Sequence, residues 1–251
     1  LKPDSGRVKE WRLPEEIGCF ALRSRGGFIA ALRTGIYLLD REARIIGQVA
    51  ENPDDPARSR FNDGCVDPWG RFWCGTMWEG QENELKARIL RVDEHLNTEI
   101  IAGDLNITNG LAFSPDRRWV YYSDTGNNIL YRQVLDPNSG RIIGPREKLR
   151  HFGDGRPDGA AVDVEGNYWS AQYGGARVER LGPDGRTLDI IDLPVPKPTM
   201  TAFGGPDLRT LYITTAREEL TGEELNRHPG SGSIYQLHSP VPGLPVPNFK
   251  G

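Results

Sequence analysis

The sequence predicts an all-β chain: a six-bladed β-propeller whose first blade is incomplete within these 251 residues. Three observations lead there. A motif returns about every 46 residues, opening at Gly18, Gly64, Gly110, Gly159 and near Met200. Each copy holds short runs of aromatic and β-branched residues separated by Gly, Pro, Asn and Asp, the composition of strands and turns. The 30 glycines and 19 prolines supply corners for many short strands. The repeats run without a break, so residues 1–251 read as a single domain.

Taken in order, residues 8–13 read as the last strand of a copy whose start lies upstream. The second copy opens with Arg60, Phe61, Asn62, Asp63 and Gly64 and runs on to Met77. The third is the clearest: a strand at 111–114, a turn at 115–118 cornered by Pro115, a strand at 119–123, a turn at 126–128 and a strand at 129–134. The fourth repeats this with strands at 160–162, 168–171 and 177–181, and the fifth with strands at 201–203 and 210–214. Residues 218–227 are the one helix candidate. Three or four short antiparallel strands per unit of about 40–50 residues describe a propeller blade. Five openings and a leading fragment give six blades. A ring closed by a partial blade would leave strand edges unpaired. The repeat length therefore predicts a further segment of about 35–45 residues upstream of Leu1.

Composition narrows the chemistry. A net charge of −4 argues against a nucleic-acid backbone or an anionic membrane as partner. No apolar run has transmembrane length and no signal segment opens the chain. Cys19, Cys65 and Cys74 form no CxxC pair and read as small buried residues, which suits a reducing, cytoplasmic setting. The four histidines are scattered without metal-ligand spacing, and no G-x-S-x-G elbow occurs. Gly153 to Gly155 read as a plain turn. The aromatic pairs Phe72-Trp73 and Tyr168-Trp169 are expected to pack between blades.

The residues before the opening glycines carry the functional signal. Asp63 (with Asn62 beside it), Asn109 and Asp158 share one repeat phase, so the ring brings them to one end of a central channel. Carboxylate and carboxamide oxygens suit a hard divalent cation such as Ca²⁺, Mg²⁺ or Mn²⁺. Asn-Gly and Asp-Gly are also ordinary turn pairs, but three at one phase of a long repeat point to a shared site. Arg60, two residues before Asn62, offers a fork of donors for a hydroxyl, carboxylate or developing oxyanion. Glu79 follows the next strand and is expected to face the channel. Asp116, Asp184 and Asp207 sit in Pro-Asp turns and are assigned no chemistry.

These same residues resemble the senescence marker protein/regucalcin/gluconolactonase family of six-bladed propellers over nearly the whole chain. The blocks are Arg60 to Gly64 with Asp67, Pro68, Gly70 and Arg71, then Asn109 to Asp116, Pro157 to Asp163 and Phe203 to Pro206, in the family's order. The resemblance implies a divalent-metal-dependent lactonase that opens sugar lactones to aldonic acids. It implies metal ligands at Asn109 and Asp158 and substrate contacts at Arg60 and Asn62, with Asn62 also near the metal through water. Ca²⁺ is the first expectation, and Zn²⁺, Mn²⁺, Mg²⁺ and Fe²⁺ are compatible. The family's third ligand, the glutamate of a Glu-Gly-Pro segment, has no match here, because that tripeptide does not occur. The catalytic base implied is Asp158, activating a water against the lactone carbonyl. The main alternative is a non-catalytic calcium-binding, regulatory propeller of the regucalcin type. An ester-hydrolysing relative and an interaction scaffold are further alternatives, the latter without a Trp-Asp repeat to support it.

Overall fold

The apolar and β-branched runs pair into antiparallel sheets in the computed structural model, which describes residues 9–80 and 85–251. The first blade is β1 (Ile17–Leu22), β2 (Phe28–Leu32), β3 (Gly35–Leu39) and β4 (Ile45–Glu51). The second is β5 (Ser59–Val66), β6 (Phe72–Trp78), β7 (Ala87–Val92) and β8 (Thr98–Leu105). The third is β9 (Thr108–Phe113), β10 (Trp119–Asp124), β11 (Ile129–Val134) and β12 (Glu147–His151). The fourth is β13 (Arg156–Val162), β14 (Tyr168–Tyr173), β15 (Arg177–Leu181) and β16 (Thr187–Asp192). The fifth has three strands, β17 (Pro198–Gly204), β18 (Thr210–Thr215) and β19 (Ile234–His238).

The described residues thus form a five-bladed propeller, which overturns the six blades expected from the repeat count. The error lies in the leading fragment. Residues 9–13 form no strand, and Val8 lies outside the described residues. Side chains rather than a ladder hold this fragment. Trp11 packs edge-on against Phe28 at 6.1 Å, and Lys9 pairs with Glu42 at 2.7 Å.

The inner strands pack side by side in chain order, β1 on β5, β5 on β9, β9 on β13 and β13 on β17. Aromatic side chains fill the seams between blades, as expected: Trp73 on Phe113 at 5.3 Å, Tyr121 on Tyr168 at 5.6 Å, and Trp169 on Phe203 at 5.7 Å. Fully buried Asp67 and Asp163 fasten the turns that lead outward. Asp67 accepts from the Trp69 and Arg71 amides and from Trp73 Nε1, and Asp163 accepts from Glu165, Asn167 and Trp169 Nε1 in the same way. Each carboxylate replaces the water that its turn's amides lose on burial.

Every inner strand is interrupted by a β-bulge within two residues of its repeat opening. The register slips between Ile17 and Cys19, Phe61 and Gly64, Pro157 and Ala160, and Pro198 and Met200. In β9, residues 110–111 lie opposite Tyr122 alone. The opening pairs therefore belong to strands, not to the turns their local preference suggests. β9, β13 and β17 accordingly start three or four residues earlier than the sequence implies. A bulge bends its strand and re-aims its side chains. Gly110 is obligatory here: its φ is +59°, and a Cβ would run into the hydroxyl of Tyr168, which donates to Gly110 O at 2.8 Å.

The helix is shorter than expected, α1 (Gly222–Arg227), because Thr221 caps it with a capping box to Glu224. The C-terminal stretch is a strap. Ser239 N donates to Arg209 O of the fifth blade and Leu244 N to Val162 O of the fourth. Phe249 N then donates to Leu22 O of the first, and Lys250 N to Gly70 O of the second. No helix among the described residues is long and apolar enough to cross a membrane.

Candidate functional site

Equal phases of neighbouring inner strands meet across the channel wall. Gly18 lies against Phe61 and Asn62, Gly110 against Asp158, and Gly159 against Thr199 and Met200. The bulges at this level surround a cavity of about 300 Å³ lined by Asn62, Asp63, Asn109, Asp158, Thr199 and Met200, among others. Four of the polar residues picked out by repeat phase thus share one cavity. The entering ends of the strands ring its mouth.

Asn109, Asp63 and Asn62 are each tied across a blade boundary. Asn109 Nδ2 donates to Thr125 Oγ1 at 2.8 Å, and that hydroxyl donates to Pro157 O at 2.6 Å. The amide nitrogen is thereby committed, which leaves the Asn109 carboxamide oxygen as the end available to the cavity. Asp63 Oδ2 accepts from Leu111 N at 2.9 Å and so clasps the third blade to the second. Asn62 donates to Thr108 O at 3.0 Å. Asp158 has far less support: among the described residues its carboxylate accepts only from its neighbour Gly159 N, at 3.0 Å.

Burial raises the pKa of Asp158 to about 8, and the nearby Asp63 adds to the rise, against the Gly159 amide, Arg156 and Arg60, which lower it. Burial also raises Asp63, to about 6, with the Leu111, Gly64 and Gly110 amides opposing. Both native pKa values lie above the unfolded value near 4, so their contribution to stability is complete below about pH 4 and is lost as pH rises through about 6 and about 8. Cation-free protein is expected to lose a few kcal/mol between about pH 5 and pH 8.5, and millimolar Ca²⁺ is expected to restore it. Urea midpoints across that range check this. A flat cation-free profile would contradict it.

Two desolvated carboxylates with no ion-pair partner among the described residues, beside a carboxamide oxygen, have the donor chemistry of a hard cation site. The protein's share is small. Among the described residues no group of three or more His, Cys, Asp or Glu side chains is placed to hold an ion. Asn109 and Asp158 would hold the cation, with water and substrate oxygens completing its shell.

Arg60 and Glu79 stand at the rim and do not line the cavity. Arg60 Nε donates to Glu79 Oε1 at 2.9 Å, and a second Arg60 nitrogen reaches Asn62 Oδ1 at 3.2 Å. Arg33 pairs with the other oxygen of Glu79 at 2.8 Å. Glu79 is therefore clamped between two arginines, which hold its pKa down against the effect of burial. It fixes Arg60 instead of presenting a free carboxylate to the channel. The cysteines are packing residues: Cys19 and Cys74 are buried and all three are free.

Sequence reasoning missed Thr125, which orients Asn109, and the rim group Arg156, Tyr173 and Lys197. A signal existed for one of them, since Arg156 opens an inner strand just ahead of the polar phase, as Arg60 does.

Residues 1–217 match the family described as SMP-30/Gluconolactonase/LRE-like region. The chain belongs to this family. It is 53% identical over 254 residues to the 6-deoxy-6-sulfogluconolactonase of Pseudomonas putida, covering 100% of this chain and 86% of that protein. It is 34% identical to the regucalcin of Sus scrofa, covering 98% and 85%. Among solved structures it matches a calcium-binding protein, regucalcin, from Agrobacterium tumefaciens, with a TM-score of 0.92, 31% identity and coverage of 98% and 84%. This SMP-30/gluconolactonase membership accords with the resemblance carried by the Arg60, Asn109 and Asp158 blocks.

Proposed function

We propose that this chain is a divalent-cation-dependent hydrolase that opens sugar lactones to aldonic acids. The observation that carries the reading is the meeting of Asn109 and Asp158, 49 positions apart in sequence, in one cavity beside Asn62. Asn109 and Asp158 hold the cation, with Ca²⁺ the first candidate. When bound, the cation supplies Lewis-acid polarisation of the lactone carbonyl. Asp158, whose carboxylate accepts only one hydrogen bond, takes a proton from the attacking water. That water oxygen bonds to the carbonyl carbon, and the ring C–O bond then breaks. The leaving alkoxide takes up a proton, so one lactone and one water give one aldonic acid. Arg60, fixed by Glu79, and Asn62 orient the sugar hydroxyls and support the negative charge that develops on the carbonyl oxygen.

The Pseudomonas putida relative is named for a 6-sulfonated gluconolactone. Glucono-δ-lactone and 6-deoxy-6-sulfogluconolactone are therefore the first pair of substrates to assay, by acid release. Hydrolysis that stops with chelator and returns with added cation is the expected result. Cation binding by calorimetry without turnover of any sugar lactone would instead favour the regulatory propeller reading.

A further inference from the structure

We infer that Arg156, Tyr173 and Lys197 form a subsite at the channel mouth for an anionic group at the end of the substrate remote from its lactone carbonyl. The substrate class is then an aldonolactone with an acidic terminal substituent. The inference rests on the lactonase reading above.

Arg156 is the odd cation of the rim. Arg33 and Arg60 both engage Glu79. The Arg156 side chain makes no hydrogen bond or ion pair with any other described residue. Its guanidinium lies 5.0 Å from the centre of the Tyr173 ring, the residue opposite it in the ladder. Stacking fixes the plane of a guanidinium and leaves its edge donors free, the form in which arginine takes two oxygens of a sulfonate, phosphate or carboxylate.

Lys197 Nζ lies 5.0 Å from the centre of the same ring, so one tyrosine carries two cations. Lys197 is occupied: it donates to Glu218 O at 2.6 Å and pairs with Glu219 Oε2 at 3.1 Å. Glu219 also accepts from the Tyr173 hydroxyl at 3.4 Å, and Arg156 lowers its pKa. Its φ of +57° is a left-handed conformation that a non-glycine residue adopts at a cost. An internal carboxylate is thus held against this cationic pair under backbone strain.

The spacing suits one small molecule. Arg156 stands two positions ahead of Asp158 in β13, about 6–7 Å of extended backbone. A six-carbon δ-lactone places the substituent on its last carbon about 5 Å from the carbonyl carbon, by ordinary covalent geometry, and the long Arg156 side chain can cover the difference. With its carbonyl at Asp158, such a lactone carries its far end toward Arg156.

The test compares glucono-δ-lactone, 6-deoxy-6-sulfogluconolactone and 6-phosphogluconolactone as substrates of wild type, Arg156→Gln, Arg156→Lys and Glu219→Gln. The readout is the ratio of kcat/KM for each anionic lactone to that for the neutral one. Wild type is expected to favour an anionic lactone, less so as salt is raised. Which of the two ratios is higher tells sulfonate from phosphate. Arg156→Gln is expected to lower that ratio about tenfold or more, chiefly through KM. Arg156→Lys retains part of it, and Glu219→Gln, which frees Lys197, raises it. A ratio that Arg156→Gln leaves unchanged overturns the inference. So does a ratio that Arg156→Gln and Glu219→Gln move in the same direction. Failure of the lactonase reading looks different, as no turnover of any lactone by wild type, and would remove both.

Discussion

Asp158→Ala is expected to abolish lactone hydrolysis, lowering kcat by about 10³-fold or more, while the propeller remains folded. The reason for the first half is that one carboxylate serves twice, as cation ligand and as proton acceptor. The reason for the second is the poverty of its native bonding. Asp158 accepts one hydrogen bond, from its own neighbour's amide, and braces no other strand. Its pKa, raised by burial to about 8, marks a charge that the cation-free fold does not want. Removing it is expected to leave the melting temperature little changed at pH 4 and to raise it at pH 8.5. Asn109→Ala differs instructively. It deletes the link through Thr125 to Pro157 O, so it is expected to weaken both cation binding in calorimetry and the contact between the third and fourth blades. Wild-type turnover by Asp158→Ala would reject the assignment.

Phe249→Ala is expected to cost about 3–5 kcal/mol of stability, the range for a fully buried aromatic. Phe249 is wholly buried and packs in one cluster with Ile29, Phe61 and Phe72 of the first two blades. Its backbone bonds both ways to the first blade, donating to Leu22 O and accepting from Ser24 N, each at 2.8 Å. The strap touches the leaving ends of the inner strands, whereas the polar cavity lies near their entering ends. Turnover at permissive temperature is therefore expected to survive. Urea unfolding measures the loss, and a change under about 1 kcal/mol would show that the strap is not a brace.

Much of the architecture is legible because a blade is a local unit. The second and third strands of the third and fourth blades, such as β10, β11 and β15, fall within a residue or two of their expected bounds, since aromatic and β-branched runs commit to strand with little help. The opening strands were harder. Gly110 and Gly159 follow Asn and Asp, which alone favour turns, and only pairing with β10 and β14 keeps them extended around a bulge. The sixth blade was an error of counting, because residues 9–13 alternate like a strand but dock through side chains, Trp11, Leu13 and Lys9 among them.

The grouping of Asn62, Asp63, Asn109 and Asp158 was legible from phase. Their partners were not. Thr125, Arg33 and Lys197 stand outside the repeated motif, so no periodicity points to them, whereas Arg156 stands just ahead of the polar phase. The strap is rich in proline and has no strand pattern, and its role depends on bonds to four separate blades.

The recurring bulge makes the five inner strands interchangeable mounts. The kink is a feature of the main chain and does not depend on which residue sits there. At or beside it stand Gly18, Asp63, Asn109, Asp158 and Thr199, all lining the cavity: a glycine, two carboxylates, a carboxamide and a hydroxyl. New chemistry at the axis needs a single exchanged head, with no redesign of the scaffold beneath it. Thr199, beside the cavity and bonded only to Thr214 at 2.7 Å, is the mount most easily refitted.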